Sequence, residues 1–149
     1  MSYILGVDPG LSGALAFYSP TTLVTYDMPV VDGGVDAAEL TRLIRSMDVS
    51  CAVVERVHSM PKQGVSSTFT FGYSAGVLRG VIVALGIPLH LVSPTVWKRH
   101  YRLGADKEAS RALAIQLWPT SADFRRKKDH GRAEAALMAK YGTEVVRHA

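Results

Sequence analysis

Residues 3–28 read YILGVDPGLSGALAFYSPTTLVTYDM, and the breaks in this stretch decide the fold. Tyr3 to Val7 is apolar apart from Gly6, DPGLSG follows, and Ala14 to Tyr18 is apolar again. Ser-Pro-Thr-Thr then interrupts the chain before Leu23 to Met28. Apolar runs bounded by Gly, Pro and Ser are strands, and two connections this short make an antiparallel meander.

Reading outward, Pro29 and the Gly33-Gly34 pair end the third strand, and Asp36 is a good N-cap. Leu40, Leu43, Ile44 and Met47 recur at the spacing of an amphipathic helix, and Cys51 to Val54 is a fourth strand ending in Glu55. Val77, Leu78, Val81, Ile82 and Leu85 form a second helix stopped by Gly86, with Gly76 and Gly80 leaving one side bare for close packing. Ile87 to Val92 is a fifth strand ended by Ser93-Pro94. Lys107 to Leu117 and Ala133 to Tyr141 are helices, the last closed by Gly142. The order β-β-β-α-β-α-β-α-α predicts an α/β domain with a five-stranded mixed sheet flanked by helices, the order of the ribonuclease H-like fold.

The chain of 149 residues is expected to be a single domain, 1–149, large enough to fold without disulfide or structural metal. The single Cys51 lies in an apolar run and suits a reduced, cytoplasmic setting. The N-terminus lacks the basic and apolar regions of a signal peptide, and no window approaches the ~18 apolar residues of a membrane span. No membrane partner is expected. Charge is uneven: residues 1–55 hold two basic and seven acidic side chains, net −5, whereas residues 56–149 hold fifteen and six, net +9. The later part is built to meet a polyanion.

Asp8 and Glu55 close two runs, ILGV and CAVV, that read as buried strands. If those strands are parallel neighbours, the two carboxylates meet ~5 Å apart, and their repulsion calls for a divalent cation such as Mg²⁺. Glu134 opens the otherwise apolar stretch AALMA on a helix that must face the sheet, which is an odd place for a solvated acid. His130, four residues earlier, shares its helical face; Asp129 is turned away by ~140° unless the chain unwinds at Gly131. Three or four acids converging at strand ends and a helix start meet the needs of two-metal phosphodiester cleavage. No serine elbow, reactive cysteine or zinc spacing competes. The DPGLSG turn could cradle phosphate, as in actin-like ATPases, but the further loops such a nucleotide site needs are missing, so no nucleotide cofactor is expected.

Four blocks in order, GVDPGLSGALA, VVERVHSMPKQGVSSTFTFGYSAGVLRG, SPTVWKRHYRLGADKEASRALA and KKDHGRAEAALMAKYG, resemble the RuvC-like Holliday junction resolvases, in particular their short bacteriophage and prophage branch. The resemblance runs from Ile4 to Gly142. It implies a homodimer that makes paired symmetric nicks in four-way DNA junctions with Mg²⁺ or Mn²⁺, in the host cytoplasm if phage-encoded. It places the family's first two acids on Asp8 and Glu55 and its last on Glu134. The family's other carboxyl-terminal acid usually stands three residues before the last, where this chain has Gly131; the partner of Glu134 is thus Asp129 or His130. The resemblance also assigns phosphate contacts to Lys98 and Lys107. It makes Arg56 to Tyr73 the segment that enters the junction, with Lys62 and Gln63 on phosphates and Phe69 on bases, while Phe71 and Tyr73 serve either bases or the core and dimer contact. Arg125, Arg126, Lys127 and Lys128 would guide a backbone past the metal site. Two other readings share the fold: a YqgF-type RNA-processing nuclease, and a nucleic-acid-binding module whose acids catalyse nothing.

Overall fold

The computed structural model describes residues 2–57 and 62–146. The meander forms as read: β1 (Tyr3–Asp8), β2 (Ala14–Ser19) and β3 (Thr22–Asp27) are successive antiparallel neighbours. A small hairpin of two-residue strands, β4 (Val30–Val31) and β5 (Gly34–Val35), follows, which the sequence reading did not assign. Asp36 caps α1 (Ala37–Arg45) by accepting from the Glu39 N–H at 3.1 Å. β6 (Val49–Glu55) and β7 (Leu89–Val92) then add in parallel, giving the sheet order β3-β2-β1-β6-β7. This is the five-stranded ribonuclease H-like sheet.

Three helices depart from the sequence reading. α2 runs Val65–Ala84, beginning twelve residues before the expected apolar repeat, because its first half is Ser, Thr and Gly with aromatic residues and shows no clean stripe. Ser93-Pro94 ends the fifth strand as expected and also opens a helix the sequence reading did not assign: α3 (Pro94–His100) has Ser93 as N-cap and Pro94 in its first turn. Seven residues are too few for periodicity to reveal. α4 (Lys107–Leu117) forms as expected; α5 (His130–Tyr141), after a 3-10 turn at Lys127–Asp129, starts three residues before Ala133, and Gly142, expected to close it, is right-handed and carries the chain into a π-helical turn at Gly142–Val146. No helix among the described residues is long and apolar enough to cross a membrane.

The sheet separates two cores. Leu5, Val7, Leu15, Phe17, Ala52 and Val54 pack against α1 and α2, while Ile4, Ala14, Ala16, Cys51 and Val53 face α5. The period of two in β1 and β6 puts Asp8 and Glu55 on the α5 side. That side is made for close approach. A Cβ on Gly6 would fall 2.1 Å from the Ala135 carbonyl oxygen, so only glycine lets the alanine face of α5 settle onto β1.

Candidate active site

Val7 of β1 pairs with Val54 of β6, so the next residue on each strand, Asp8 and Glu55, emerges side by side at the sheet's carboxyl edge. Above them lies the first turn of α5. Gly131 permits this: a Cβ there would stand 3.1 Å from the Ser12 carbonyl oxygen and 3.4 Å from Asp8 Oδ2. Glu134, one turn on, is buried and joins the two strand-end acids.

The electrostatics show a crowded site. Burial raises the Asp8 carboxyl well above its ordinary range, and the charges of Glu55 and Glu134 push it further, against Lys107 and Lys98. Glu55 is also raised, first by burial; the Trp97 hydrogen bond opposes the shift and the Glu134 charge adds to it. Lys98 Nζ lies 3.5 Å from Glu134 Oε2, which also accepts from Ser110 Oγ at 3.3 Å. Trp97 Nε1 donates to Glu55 Oε2 at 2.9 Å. Three acids therefore meet with two nearby ammonium ions, Lys98 and Lys107, and two neutral donors.

The two candidates for the remaining position part company. Asp129 is buried but turned from the acids: Arg126 binds it through Nη2 at 2.8 Å and Nε at 3.1 Å, and donates its backbone N–H at 2.8 Å. Burial alone would raise this carboxyl, yet the Arg126 bonds outweigh it and hold it below its usual value. The 3-10 turn, rather than unwinding at Gly131, sets that direction, so Asp129 is not brought to the site. His130 is. With Asp8, Gly10, Phe71 and Lys107 it lines an open cleft of about 470 Å³, and its buried Nδ1 has no hydrogen-bond partner among the described residues.

These groups fit a divalent cation in kind: carboxylates raised by burial and then by their neighbours' charge supply the oxygens that Mg²⁺ or Mn²⁺ takes, and an orphaned imidazole nitrogen lies beside Asp8. They do not form a preformed cage, since no group of three His, Cys, Asp or Glu among the described residues stands at metal-binding spacing.

No protein-family model matches the chain. Two solved structures superpose over almost their whole length. The Thermus thermophilus RuvC in complex with Holliday junction substrate aligns with a TM-score of 0.71 at 13% identity, covering 100% of this chain and 97% of that one. The Thermus thermophilus RuvC structure without a named substrate gives 0.67 at 13% identity, covering 97% and 96%. The chain has the RuvC fold. In sequence, the chloroplastic Holliday junction resolvase MOC1 of Chlamydomonas reinhardtii is 36% identical over 83 residues, taking in 54% of this chain. The chain spans 9% of that curated relative's length.

On this RuvC fold the other expected residues take separate places. Lys107 lines the Asp8 cleft. Arg125, Lys127 and Lys128 are exposed, whereas Arg126 is engaged with Asp129. Lys62 precedes α2 with φ at 66°, and Gln63 lines a neighbouring cleft with Ser66, Ser67, Thr70 and Ser74. Residues 58–61, within the segment assigned to the junction, lie outside the described residues. Phe69 and Tyr73 do not alternate as on a strand; they share a helical face, exposed by 72% and 62%, with rings stacked 6.2 Å apart. Phe71 instead packs toward Gly10. Trp97 and Ser110 were missed. Ser110 left one signal, a hydroxyl on the same helical face as Leu113, Ala114 and Leu117; Trp97 left none.

Proposed function

We propose that this chain is a divalent-metal-dependent endonuclease that resolves four-way DNA junctions by paired symmetric nicks. The observation that carries this reading is the meeting of Asp8, Glu55 and Glu134 at the sheet edge under α5, with Asp8 raised by burial and the charges of Glu55 and Glu134, and Glu55 by burial and the charge of Glu134. The names of the similar proteins support it: one is a Holliday junction resolvase, and one RuvC structure holds a Holliday junction substrate.

Asp8, Glu55 and Glu134, with His130 beside Asp8, would hold Mg²⁺ or Mn²⁺. Bound there, such ions would supply Lewis-acid activation of a water and charge neutralisation at the leaving 3′ oxygen. Lys98 and Lys107 flank the acids and are placed to meet the non-bridging oxygens of the scissile phosphate as point charges. Trp97 and Ser110 hold Glu55 and Glu134 without cancelling their charge. In the overall reaction water adds to phosphorus, the bond to the 3′ oxygen breaks, and a 5′ phosphate and 3′ hydroxyl result. Arg125, Lys127 and Lys128 on one flank, and Lys62 and Gln63 on the other, suit a backbone crossing the cleft; Phe69 offers an open ring for an unstacked base.

Symmetric nicks need two sites, and α2 offers a surface for a second copy. Val65, Tyr73 and Val83 are exposed on one face, and Cβ atoms on Gly72, Gly76 and Gly80 would meet nothing within 4 Å among the described residues. Such a bare apolar strip allows two helices to approach closely.

Four-way DNA, duplex DNA and structured RNA, each with and without Mg²⁺, separate the readings on a denaturing gel. Metal-dependent paired nicks confined to the four-way DNA are expected. RNA cleavage would make it an RNA-processing nuclease, and binding without products a non-catalytic module.

A further inference from the structure

We propose that Trp97 is a positioning residue that orients the Glu55 carboxylate and thereby sets the site's affinity for a divalent cation; this deepens, and rests on, the metal-centre reading above. Trp97 is fully buried and is among the largest side chains so enclosed. An indole that deep needs a partner for its N–H, and the partner is a carboxylate at the tip of β6, Glu55 Oε2, at 2.9 Å. The bond is charge-assisted and spans two elements 42 residues apart in sequence.

The donor's neutrality matters. A lysine or arginine in this place would fix the carboxylate equally well but would cancel the charge that attracts a metal ion. An indole N–H fixes direction, takes one oxygen, and leaves both the negative charge and the second oxygen to a cation. The adjacent residue supplies the contrast, since Lys98 brings a full positive charge to within 3.5 Å of Glu134. Consecutive residues of α3 thus handle two of the three acids, one by neutral orientation and one by charge. α3 is well placed to do so, because Ser93 and Pro94 fix its start directly after β7, whose Val92 pairs with Glu55. Donors that orient a ligating carboxylate commonly set metal affinity by ~10- to 100-fold.

The test uses the full chain without DNA. Mn²⁺ affinity is measured by titration calorimetry on wild type, Trp97→Phe and Trp118→Phe. Trp118 packs against Tyr18 and Phe124 and has no bond to the acids, so its variant controls for lost aromatic packing. Trp97→Phe should bind Mn²⁺ ~10- to 100-fold more weakly, and Trp118→Phe as tightly as wild type. Junction cleavage by Trp97→Phe should recover as Mn²⁺ is raised, a change in metal requirement that a packing defect would not produce. In wild type, the Trp97 indole N–H resonance should shift on Mg²⁺ addition while that of Trp118 stays put; this readout decides the matter if Trp97→Phe fails to fold. Native-like Trp97→Phe with wild-type Mn²⁺ affinity, or an unresponsive Trp97 resonance in metal-bound wild type, overturns the proposal and leaves the metal centre standing. Absence of Mn²⁺ binding by wild type overturns the metal centre and the proposal with it.

Discussion

Gly6→Ala is the smallest change that separates α5 from the strand-end acids. The added Cβ would lie 2.1 Å from the Ala135 carbonyl oxygen, 2.6 Å from the Ala139 nitrogen and 2.9 Å from the Ala139 Cβ. The closest ordinary C···O contact is about 3.3 Å, so α5 must retreat by roughly 1.2 Å. Both of the nearest obstacles are backbone, so no side chain can rotate aside. Overpacking ordinarily costs ~1 to 3 kcal/mol, and with backbone on both sides about 3 is expected. For a chain of this length that is roughly 6 to 12 °C in Tm. The same retreat carries Glu134 and His130 away from Asp8, and a displacement near 1 Å costs about 10²-fold in rate. Calorimetric melting and single-turnover junction cleavage measure the two effects. Gly104→Ala is the control: its Cβ meets nothing within 4 Å among the described residues, so it should stabilise by ~0.4 to 1 kcal/mol. A Gly6→Ala protein with unchanged Tm and unchanged cleavage would refute the close approach of α5 that brings the acids together.

The raised carboxyls make metal-free stability depend on pH in a definite direction. Because Asp8 and Glu55 are raised on folding, the stability they contribute is full below the ordinary carboxyl value of ~4 and is lost as pH rises through the raised values. Asp8→Asn should therefore melt higher than wild type near pH 7 without metal. Mg²⁺ at about 100 times its Kd should add ~2.7 kcal/mol to wild type and markedly less to Asp8→Asn; equal responses in chemical denaturation would contradict this. Asp129→Asn should lower the melting temperature by loosening the Arg126 clamp while leaving the Mg²⁺ requirement for cleavage unchanged, as read in a metal titration. Gly80→Arg, placed on the bare face of α2, should convert a dimer to a monomer by light scattering; a monomeric wild type would dismiss that interface.

The central sheet was legible because its signals are local and agree with one another. Short breaks force the meander, and apolar runs that each end in an acid, ILGV-Asp8 and CAVV-Glu55, mark two buried strands that finish together. Glu134 stood out as a lone acid on an alanine face that close packing had to bury. What stayed hidden depended on tertiary direction. Whether Asp129 or His130 faces the site turns on a single 3-10 turn and on Arg126, which sits three residues away and reads only as part of a basic run. The first half of α2 is largely exposed, with Phe71 turned toward Gly10, and carries no periodic stripe, so its aromatics read as an alternating segment. α3 is too short to show a period, and with it went Trp97, whose role depends on a strand 42 residues distant in sequence.

Crystals soaked in Mn²⁺ and recorded at the manganese absorption edge put the account to its most direct test. Anomalous density is expected between Asp8, Glu55 and Glu134 and beside His130, with Lys98 drawn off Glu134. Saturating manganese that leaves those carboxylates bare, or that binds at Asp129 instead, would contradict it.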